Sequence, residues 1–258
     1  MPVERVPNII HFCYGFRPNA PFGLLEYLAV RSAHDVNAPE AIHFHCGHEP
    51  TGPWWERAKP MVTVVRIEPP TEVFGRPLCH HAHQTDFMRL EVLIRYGGIY
   101  LDVDTLCLRP FADLRQHECV MARQGDRGLC NAVILAAPQA RFLMAWRETF
   151  RAFRSRGRDA NWDEHAVRIP GRLAREPGLR DHVEVLGSEA FFYPTWHEME
   201  ALFESSDRRL FDGSYCVHLW STATRERWLS RVTPEYVAAS DSNFAFFARR
   251  HLAAGKLE

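Results

Sequence analysis

Short apolar runs alternate with amphipathic stretches of helical period over the first hundred residues. The apolar runs predict strands at 8–14, 41–46, 62–67 and 99–103, and the amphipathic stretches predict helices at 21–33, 54–59 and 85–96. Alternation of this kind is typical of βαβ units, in which a mainly parallel sheet carries helices on both faces. The pattern therefore predicts an α/β fold.

The alternation becomes irregular in the second half of the chain. A further strand is predicted at 132–136 and a long helix at 139–155, followed by an Arg-rich loop and short mixed elements. No linker rich in glycine and serine separates the two halves. We therefore predict a single domain over 1–258, made of an N-terminal lobe, 1–115, and a C-terminal lobe, 116–258, that completes the site.

The charge balance and the cysteines exclude several classes of protein. The 258 residues hold 31 Lys plus Arg against 32 Asp plus Glu, whereas nucleic-acid binding requires a basic excess. No run of about 18 apolar residues predicts a membrane span, and the first residues lack the apolar segment of a signal peptide. The seven cysteines form no Cys-x-x-Cys pair, which favours reduced thiols. We expect a cytoplasmic protein with no nucleic-acid partner, for which peripheral contact with a membrane stays open.

Two aspartates, Asp102 and Asp104, stand where the strand predicted at 99–103 runs into a loop. Their separation of two residues places both carboxylates on the same side of the strand. In open α/β sheets, ligands bind beyond the carboxyl ends of the strands. Paired carboxylates suit Mg²⁺ or Mn²⁺ and leave coordination positions for the phosphate oxygens of a substrate. On its own, the pair fits either a metal site or a simple turn.

Asp86 and Arg89 lie three residues apart on the helix predicted at 85–96 and therefore share one of its faces. Two interpretations are open. The pair is either a solvated ion pair within the helix or a carboxylate and a guanidinium that together hydrogen-bond the vicinal hydroxyls of a sugar.

The string from Asp86 to Asp104 contains an Asp-x-x-Arg helix, a Gly-Gly break, an aromatic residue and Asp-x-Asp. It resembles the DXD-containing sugar transferases, a family that includes globotriaosylceramide synthase, fungal initiating mannosyltransferases and glucosylating clostridial toxins. The resemblance implies a GT-A fold, a nucleotide-sugar donor, Mn²⁺ or Mg²⁺, and retention of the anomeric configuration. It implies that Asp86 and Arg89 hold the donor sugar and that Tyr100 contacts the nucleotide. It assigns the ribose and the metal-bound pyrophosphate to Asp102 and Asp104.

Two further segments resemble the same family. Residues 7–15 read Pro-x-Ile-Ile-His and end in Tyr-Gly where the family has Trp-Gly, so the resemblance places His11 and Tyr14 at the donor. Near the other end, Cys-Val-His-Leu-Trp resembles a His-x-Trp motif, in which His218 completes the metal site and Trp220 borders the donor phosphates. The implied donor-binding residues are His11, Tyr14, Asp86, Arg89, Tyr100, Asp102, Asn131 and Trp220. The implied catalytic residues are Asp102, Asp104 and Arg89, and the implied metal ligands are Asp102, Asp104 and His218.

The resemblance implies that residues 1–115 bind the nucleotide sugar and that 116–258 hold the acceptor. The predicted reaction transfers a hexose or an N-acetylhexosamine from a nucleotide sugar, with a UDP-sugar favoured, to a glycan or another hydroxyl acceptor in polysaccharide biosynthesis. The segment 141–214 carries none of the motifs, and its role is open. No protein nucleophile is identifiable, so we expect the departing phosphate to take the acceptor's proton.

Three other functions fit parts of the sequence. Tyr-Leu-Asp-Val-Asp-Thr also resembles the nucleophile motif of haloacid-dehalogenase-type phosphatases, but such an enzyme needs a downstream lysine and only Lys256 follows. The histidine-rich stretches 43–48 and 79–83 hold residue types that suit a structural zinc ion, although their spacing is irregular. A non-catalytic module that binds sugar nucleotides is the third alternative.

Overall fold

The computed structural model describes residues 3–253, so Lys256 and the final Leu-Glu pair lie outside the described residues. The strands are β1 (Ile9–Tyr14), β2 (Ala41–Cys46), β3 (Thr63–Arg66), β4 (Glu72–Val73), β5 (Arg76–Pro77), β6 (Gly98–Leu101), β7 (Thr105–Cys107), β8 (Cys119–Arg123), β9 (Leu129–Ala136), β10 (Glu184–Leu186) and β11 (Cys216–His218). The α-helices are α1 (Leu24–Asn37), α2 (Pro53–Ala58), α3 (His81–Tyr96), α4 (Arg141–Glu148), α5 (Ile169–Leu173), α6 (Ser188–Phe191), α7 (Glu200–Phe203), α8 (Ser221–Thr224), α9 (Pro234–Ala239) and α10 (Asn243–Ala253). Across these described residues, no helix combines the length and the apolar character needed to cross a bilayer.

A seven-stranded sheet forms the centre of the described chain, in the order β10-β8-β9-β6-β1-β2-β3. Its neighbouring strands run parallel except for β9, which is antiparallel to both β6 and β8. Two small ribbons, β4 with β5 and β7 with β11, lie outside this sheet. The mainly parallel sheet confirms the fold class predicted from the sequence.

Apolar layers cover both faces of the sheet. On one face, Phe12 of β1 and Phe44 of β2 belong to the buried cluster that includes α1 and α10. On the other face, Leu90 of α3, Ile134 of β9 and Trp146 of α4 belong to a second buried cluster. Burial of each such side chain contributes roughly 1.5–3 kcal/mol to stability. The sheet therefore lies between two apolar cores. A functional site is expected at its edges or strand ends, which these cores do not cover.

Helix α3 ends at the pair of glycines that the sequence predicts as its stop. Gly97 has a φ of +66° and Gly98 a φ of +110°, conformations that L side chains rarely adopt. A Cβ atom on Gly98 would lie 2.5 Å from the carbonyl oxygen of Ile9 in β1. Glycine at this position is what lets β6 start at once and pair closely with β1.

Both long N-terminal helices differ from their predicted bounds. Helix α1 begins at Leu24 rather than at residue 21, because the carboxylate of Glu26 accepts a hydrogen bond from the Gly23 N–H (2.8 Å) and fixes the first turn there. Helix α3 begins before residue 85, because Nδ1 of His80 accepts a hydrogen bond from the Ala82 N–H (3.1 Å) and caps a turn that the sequence pattern did not show.

Two further elements are shorter than predicted. Strand β6 ends at Leu101 rather than at residue 103, because the carbonyl of Asp102 accepts a hydrogen bond from the Thr105 N–H (3.0 Å) and the chain turns. Helix α4 ends at Glu148 rather than at residue 155, where the chain tightens into a 3₁₀ turn over Thr149–Ala152. The prediction of a single long helix here is therefore wrong.

Candidate active site

Asp102 and Asp104 lie in the turn that follows β6, at the carboxyl edge of the sheet. The N–H of Asp102 donates to the carbonyl of Ala132 in β9 (2.8 Å), which holds the start of the turn against the sheet. Both aspartates line a cavity at this edge. The structure therefore places the paired carboxylates where open α/β sheets bind ligands, as the sequence predicts.

The ribbon of β7 and β11 brings a histidine to these aspartates. In the antiparallel register, His218 of β11 lies opposite Thr105 of β7. Nε2 of His218 lies 3.0 Å from Oδ1 of Asp104. The backbone N–H of Ser221 donates to Oδ2 of Asp104 (2.8 Å), so each oxygen of this carboxylate has a partner. Groups more than a hundred residues apart in sequence meet in this way.

Asp102, Asp104 and His218 each offer one ligand atom, and these atoms lie within 4.8 Å of one another. Carboxylate oxygens are the ligands that Mg²⁺ and Mn²⁺ prefer, and imidazole nitrogen suits several first-row divalent ions. The donor set therefore fits the divalent cation implied by the family resemblance.

Arg89 is buried among the acidic groups of the site, with 5% of its side chain exposed. Its guanidinium nitrogens lie 3.3 Å from Oδ1 of Asp86 and 3.2 Å from Oδ1 of Asp102. The guanidinium also donates to the carbonyl of Asn131 (2.6 Å) and lies over the ring of Tyr100. Two more hydrogen bonds close the network: Asn131 Nδ2 donates to Asp86 (2.7 Å), and the Tyr100 hydroxyl donates to Asp102 (2.8 Å). The interpretation of Asp86 and Arg89 as a solvated ion pair is therefore wrong, because both are buried.

The two carboxylates differ in their electrostatic setting. Burial on its own would raise the pKa of Asp104, but the charge of His218 and the hydrogen bonds from His218 and Ser221 hold it below its ordinary value. For Asp102, burial prevails over the charge of Arg89 and raises the pKa. Burial lowers the pKa of His218, but the adjacent Asp104 more than offsets this and raises it. Asp104 is thus the more firmly ionised carboxylate of the pair.

The cleft consists of two adjoining cavities of about 740 and 340 Å³, within the range of small-molecule sites. Tyr14 lines the larger cavity, and its hydroxyl donates to the carbonyl of Pro21. Trp220 lines the smaller cavity, where its ring centroid lies 4.3 Å from that of His218. The Nε1–H of Trp220 donates to the carbonyl of Pro194 (2.9 Å), which fixes the plane of the indole.

The structure does not bring every predicted donor residue to the cleft. Arg89 and Asp102 line the smaller cavity, whereas Asp86, Tyr100 and Asn131 pack behind them. These three side chains therefore act on the cleft indirectly, because they orient Arg89 and Asp102.

His11 is placed with other histidines rather than with the aspartates. It is fully buried on β1, where Nε2 lies 2.9 Å from the carbonyl oxygen of Gly97 and Nδ1 lies 3.1 Å from Nε2 of His45. Burial, followed by the charge of His45, lowers the pKa of His11 to about 3. The imidazole is therefore neutral at neutral pH.

Further polar residues, none of which the family resemblance assigned to the donor, also line the larger cavity. They are Arg17, Glu26, His81, Thr85, Arg158, Ser221, Thr222, Arg225 and Glu226. His81 and Thr85 stand eight and four residues before Arg89 on α3, so the helical period could have found them. The three arginines come from separate segments, and no local pattern links them to one another.

The chain is similar to known proteins in sequence and in fold. Residues 27–121 match the family described as glycosyltransferase sugar-binding region containing DXD motif. The chain is 34% identical over 259 residues to Glucan organizing enzyme 1 of Cryptococcus neoformans var. grubii, a match that covers 93% of this chain and 69% of that protein. It is 28% identical over 154 residues to human alpha-1,4-N-acetylglucosaminyltransferase, covering 55% of this chain and 43% of that protein. Its fold is similar to that of the bifunctional glycosyltransferase WbbM in its apo structure, with a TM-score of 0.52 and 9% identity, over 98% of this chain and 50% of that one.

Proposed function

The chain belongs to the glycosyltransferases whose sugar-binding region contains a DXD motif, and from this premise we propose that it transfers a hexose or an N-acetylhexosamine from a UDP-sugar to a glycan hydroxyl. The observation that carries the proposal is the meeting of Asp102, Asp104 and His218 beside the buried Arg89 in one cleft. Family membership sets aside both the phosphatase and the non-catalytic module that the sequence left open.

We propose that Asp102, Asp104 and His218 hold Mn²⁺ or Mg²⁺ when the donor binds. Such an ion, when bound, neutralises charge that develops on a departing diphosphate. The protein side of this arrangement is the fixed orientation of its ligands. The Ser221 N–H holds one oxygen of Asp104 (2.8 Å), and the Tyr100 hydroxyl and Arg89 hold Oδ1 of Asp102 (2.8 and 3.2 Å).

Cationic side chains of the cleft support a diphosphate-bearing donor. Arg17, Arg158 and Arg225 line the same cavity as Asp104. Guanidinium groups donate paired hydrogen bonds to phosphate oxygens. We propose that these arginines bind the diphosphate oxygens that face away from the aspartates. Arg89 instead contacts Asp102 in the protein interior.

We propose that the reaction retains the anomeric configuration and that the departing phosphate takes the acceptor's proton. The cysteine of the cleft is unsuited to act as a covalent nucleophile, because burial raises the pKa of Cys13 to about 12 and keeps it a thiol. The carboxylate of Glu26 is engaged by the Gly23 N–H at the start of α1 (2.8 Å). The chain's own residues then act by holding the ring and the diphosphate in place.

The names of the two curated relatives support a glycan product, since one is a glucan organizing enzyme and the other an N-acetylglucosaminyltransferase. We therefore place the protein in polysaccharide biosynthesis. We propose a cytoplasmic site of action, which is supported by the presence of all seven cysteines as free thiols.

The test is a thermal-shift series of UDP- and GDP-sugars with and without Mn²⁺, since a ligand that binds only the folded state raises its apparent stability. We expect one UDP-sugar to raise the melting temperature in a metal-dependent manner in the wild type and not in Asp104→Asn. Transfer of the same sugar to glycan acceptors, with the anomeric configuration read by NMR, then tests retention. A folded wild-type protein that responds to no nucleotide sugar would overturn the proposal.

A further inference from the structure

A second group of potential metal ligands lies on β1 and β2, and the proposed reaction does not use it. His11 pairs with His43 across the two parallel strands, and His45 lies two pairs further along, opposite Cys13. Residues two apart on a strand share a face, so the three imidazoles stand on the same side of the sheet. His11 and His45 are buried, and His43 is half-buried.

The three imidazoles converge. Each offers one nitrogen, and the three nitrogens lie within 4.8 Å of one another. Nδ1 of His11 and Nε2 of His45 are 3.1 Å apart. Among residues 3–253, this is the one group besides Asp102, Asp104 and His218 in which three ligand atoms come so close.

The backbone fixes which nitrogen of His11 is free. Its Nε2 lies 2.9 Å from the carbonyl oxygen of Gly97, so the proton is on Nε2, which donates to that carbonyl. The lone pair is then on Nδ1, which faces His45. Histidines that bind metals commonly donate their other N–H to a carbonyl or a carboxylate in this way. A Cβ atom on Gly98 would lie 2.9 Å from Nε2, so the glycine turn leaves just enough room for this contact.

The group is reached from a cavity separate from the cleft. His45 lines a cavity of about 740 Å³ between α3, α4 and the edge strand β3. Tyr96, at the end of α3, also lines it, and its ring is stacked on that of His11, with the centroids 6.3 Å apart. Of the three histidines His45 lines this cavity, so the path by which an ion would reach the group passes His45.

We propose that His11, His43 and His45 form a second cation site, specific for a transition metal of the zinc class, that ties β1 to β2 behind the active-site cleft. Three imidazoles favour Zn²⁺, Co²⁺, Ni²⁺ or Cu²⁺, whereas carboxylate ligands favour Mg²⁺ and Mn²⁺. The two sites of the chain therefore differ in the metals that they select. The sequence left open a zinc ion bound by the stretches 43–48 and 79–83. The proposed site differs from it because it includes His11 of β1 and excludes His48 and the stretch 79–83.

The experiment titrates chelator-treated full-length protein with Co²⁺ and Zn²⁺, following the visible absorption of bound Co²⁺ and the heat of binding. The variant Asp104→Asn weakens the carboxylate site, and His43→Ala removes a ligand of the histidine site. We expect Asp104→Asn to retain one Co²⁺ or Zn²⁺ per chain that excess Mn²⁺ does not displace. We expect His43→Ala, introduced into the Asp104→Asn protein, to weaken the binding of this ion by about 100-fold or more. Even the loss of an outer partner of a metal ligand costs 10- to 100-fold in affinity.

Two controls separate ligation from general damage. His48→Ala removes an exposed imidazole just after β2 and should leave binding unchanged. The melting temperature in EDTA shows whether His43→Ala keeps the metal-free fold, and His43→Asn provides a second variant. The proposal is overturned if Asp104→Asn binds neither Co²⁺ nor Zn²⁺, or if its binding is the same after His43 is replaced.

Discussion

Arg89 is a buried guanidinium in contact with two carboxylates, those of Asp86 and Asp102. Removing one partner of a buried ionic group is costly, because the remaining charge is left without compensation. Here the loss of the guanidinium would leave both carboxylates without a compensating positive charge. The residue thus has a structural role in addition to any contact with a donor, and the two roles are separable by experiment.

We predict that Arg89→Met, which keeps much of the side-chain volume without the charge, lowers the free energy of unfolding by about 3–5 kcal/mol. Urea denaturation of wild type and variant measures the difference. Arg209→Met is the matched control, because Arg209 forms an exposed ion pair with Asp207, and its loss should change stability little. An equally small effect of Arg89→Met would show that the buried network is not stabilising.

Asp104 accepts hydrogen bonds through both of its oxygens and keeps its pKa below the ordinary value. We predict that Asp104→Asn lowers kcat/KM for sugar transfer by about 100-fold or more, because loss of a metal ligand removes several kcal/mol of charge stabilisation. The fold should remain, since asparagine keeps an oxygen for the Ser221 N–H. Asp126→Asn, in the exposed turn between β8 and β9, removes the same charge away from the cleft. Equal activity of the two variants would contradict the metal assignment.

The junction of helix α3 and strand β6 positions the residues of the candidate site. Helix α3 carries Arg89, β6 leads into Asp102, and Gly97 alone separates the helix from Gly98, the first residue of the strand. Because the connection is so short, the helix and the strand have little freedom to change their relative position. The positive φ of both glycines and the close approach of Ile9 make this turn intolerant of a side chain.

We predict that Gly98→Ala destabilises the protein by about 3 kcal/mol or more, from the strain of a positive φ and the overlap of the new Cβ with the Ile9 carbonyl. Gly178→Ala is the control, since a Cβ there meets nothing within 4 Å. Thermal and urea unfolding of both variants give the comparison. Similar stabilities of the two variants would mean that the turn can relax.

This junction was also the part of the fold most open to prediction from sequence. The helix stop at Gly97, the strand after it and the Asp-x-Asp at its end depend on neighbouring residues, so local patterns reveal them. The start of α3 was missed because its cap, His80, is not a residue type that usually marks a helix start. The length of α4 was missed because the turn that follows it keeps an apolar pattern close to that of a helix.

Contacts between segments that are distant in sequence determine the side-chain positions that local patterns do not predict. His218 reaches Asp104 only because β11 pairs with β7, and its role was expected from family resemblance alone. His11 lies on the predicted strand, but its ring faces His45 and the Gly97 carbonyl instead of the cleft. A local pattern places a residue on a strand, whereas the packing of α3 against β1 determines what its side chain meets.

Buried neutral histidines also make the stability of the whole molecule depend on pH. Burial, with the charge of nearby histidines, lowers the pKa of His11 to about 3 and that of His45 to about 4. In the unfolded chain these imidazoles take up protons near pH 6.5. Between pH 6.5 and about 4 the unfolded state therefore binds more protons than the folded state, and stability falls as the pH falls. His218 has the opposite sign, because Asp104 raises its pKa, and its contribution is fully present below pH 6.5.

We predict that the metal-free protein loses stability steadily between pH 6.5 and pH 5, by up to about 1.4 kcal/mol per pH unit for each excess proton bound by the unfolded chain. Urea unfolding at several pH values in the presence of a chelator measures this slope. His45→Asn should flatten it, because one titrating imidazole is removed and the pKa of His11 moves back toward its ordinary value. A slope that is zero or of opposite sign, or that His45→Asn leaves unchanged, would show that these imidazoles are protonated in the folded state.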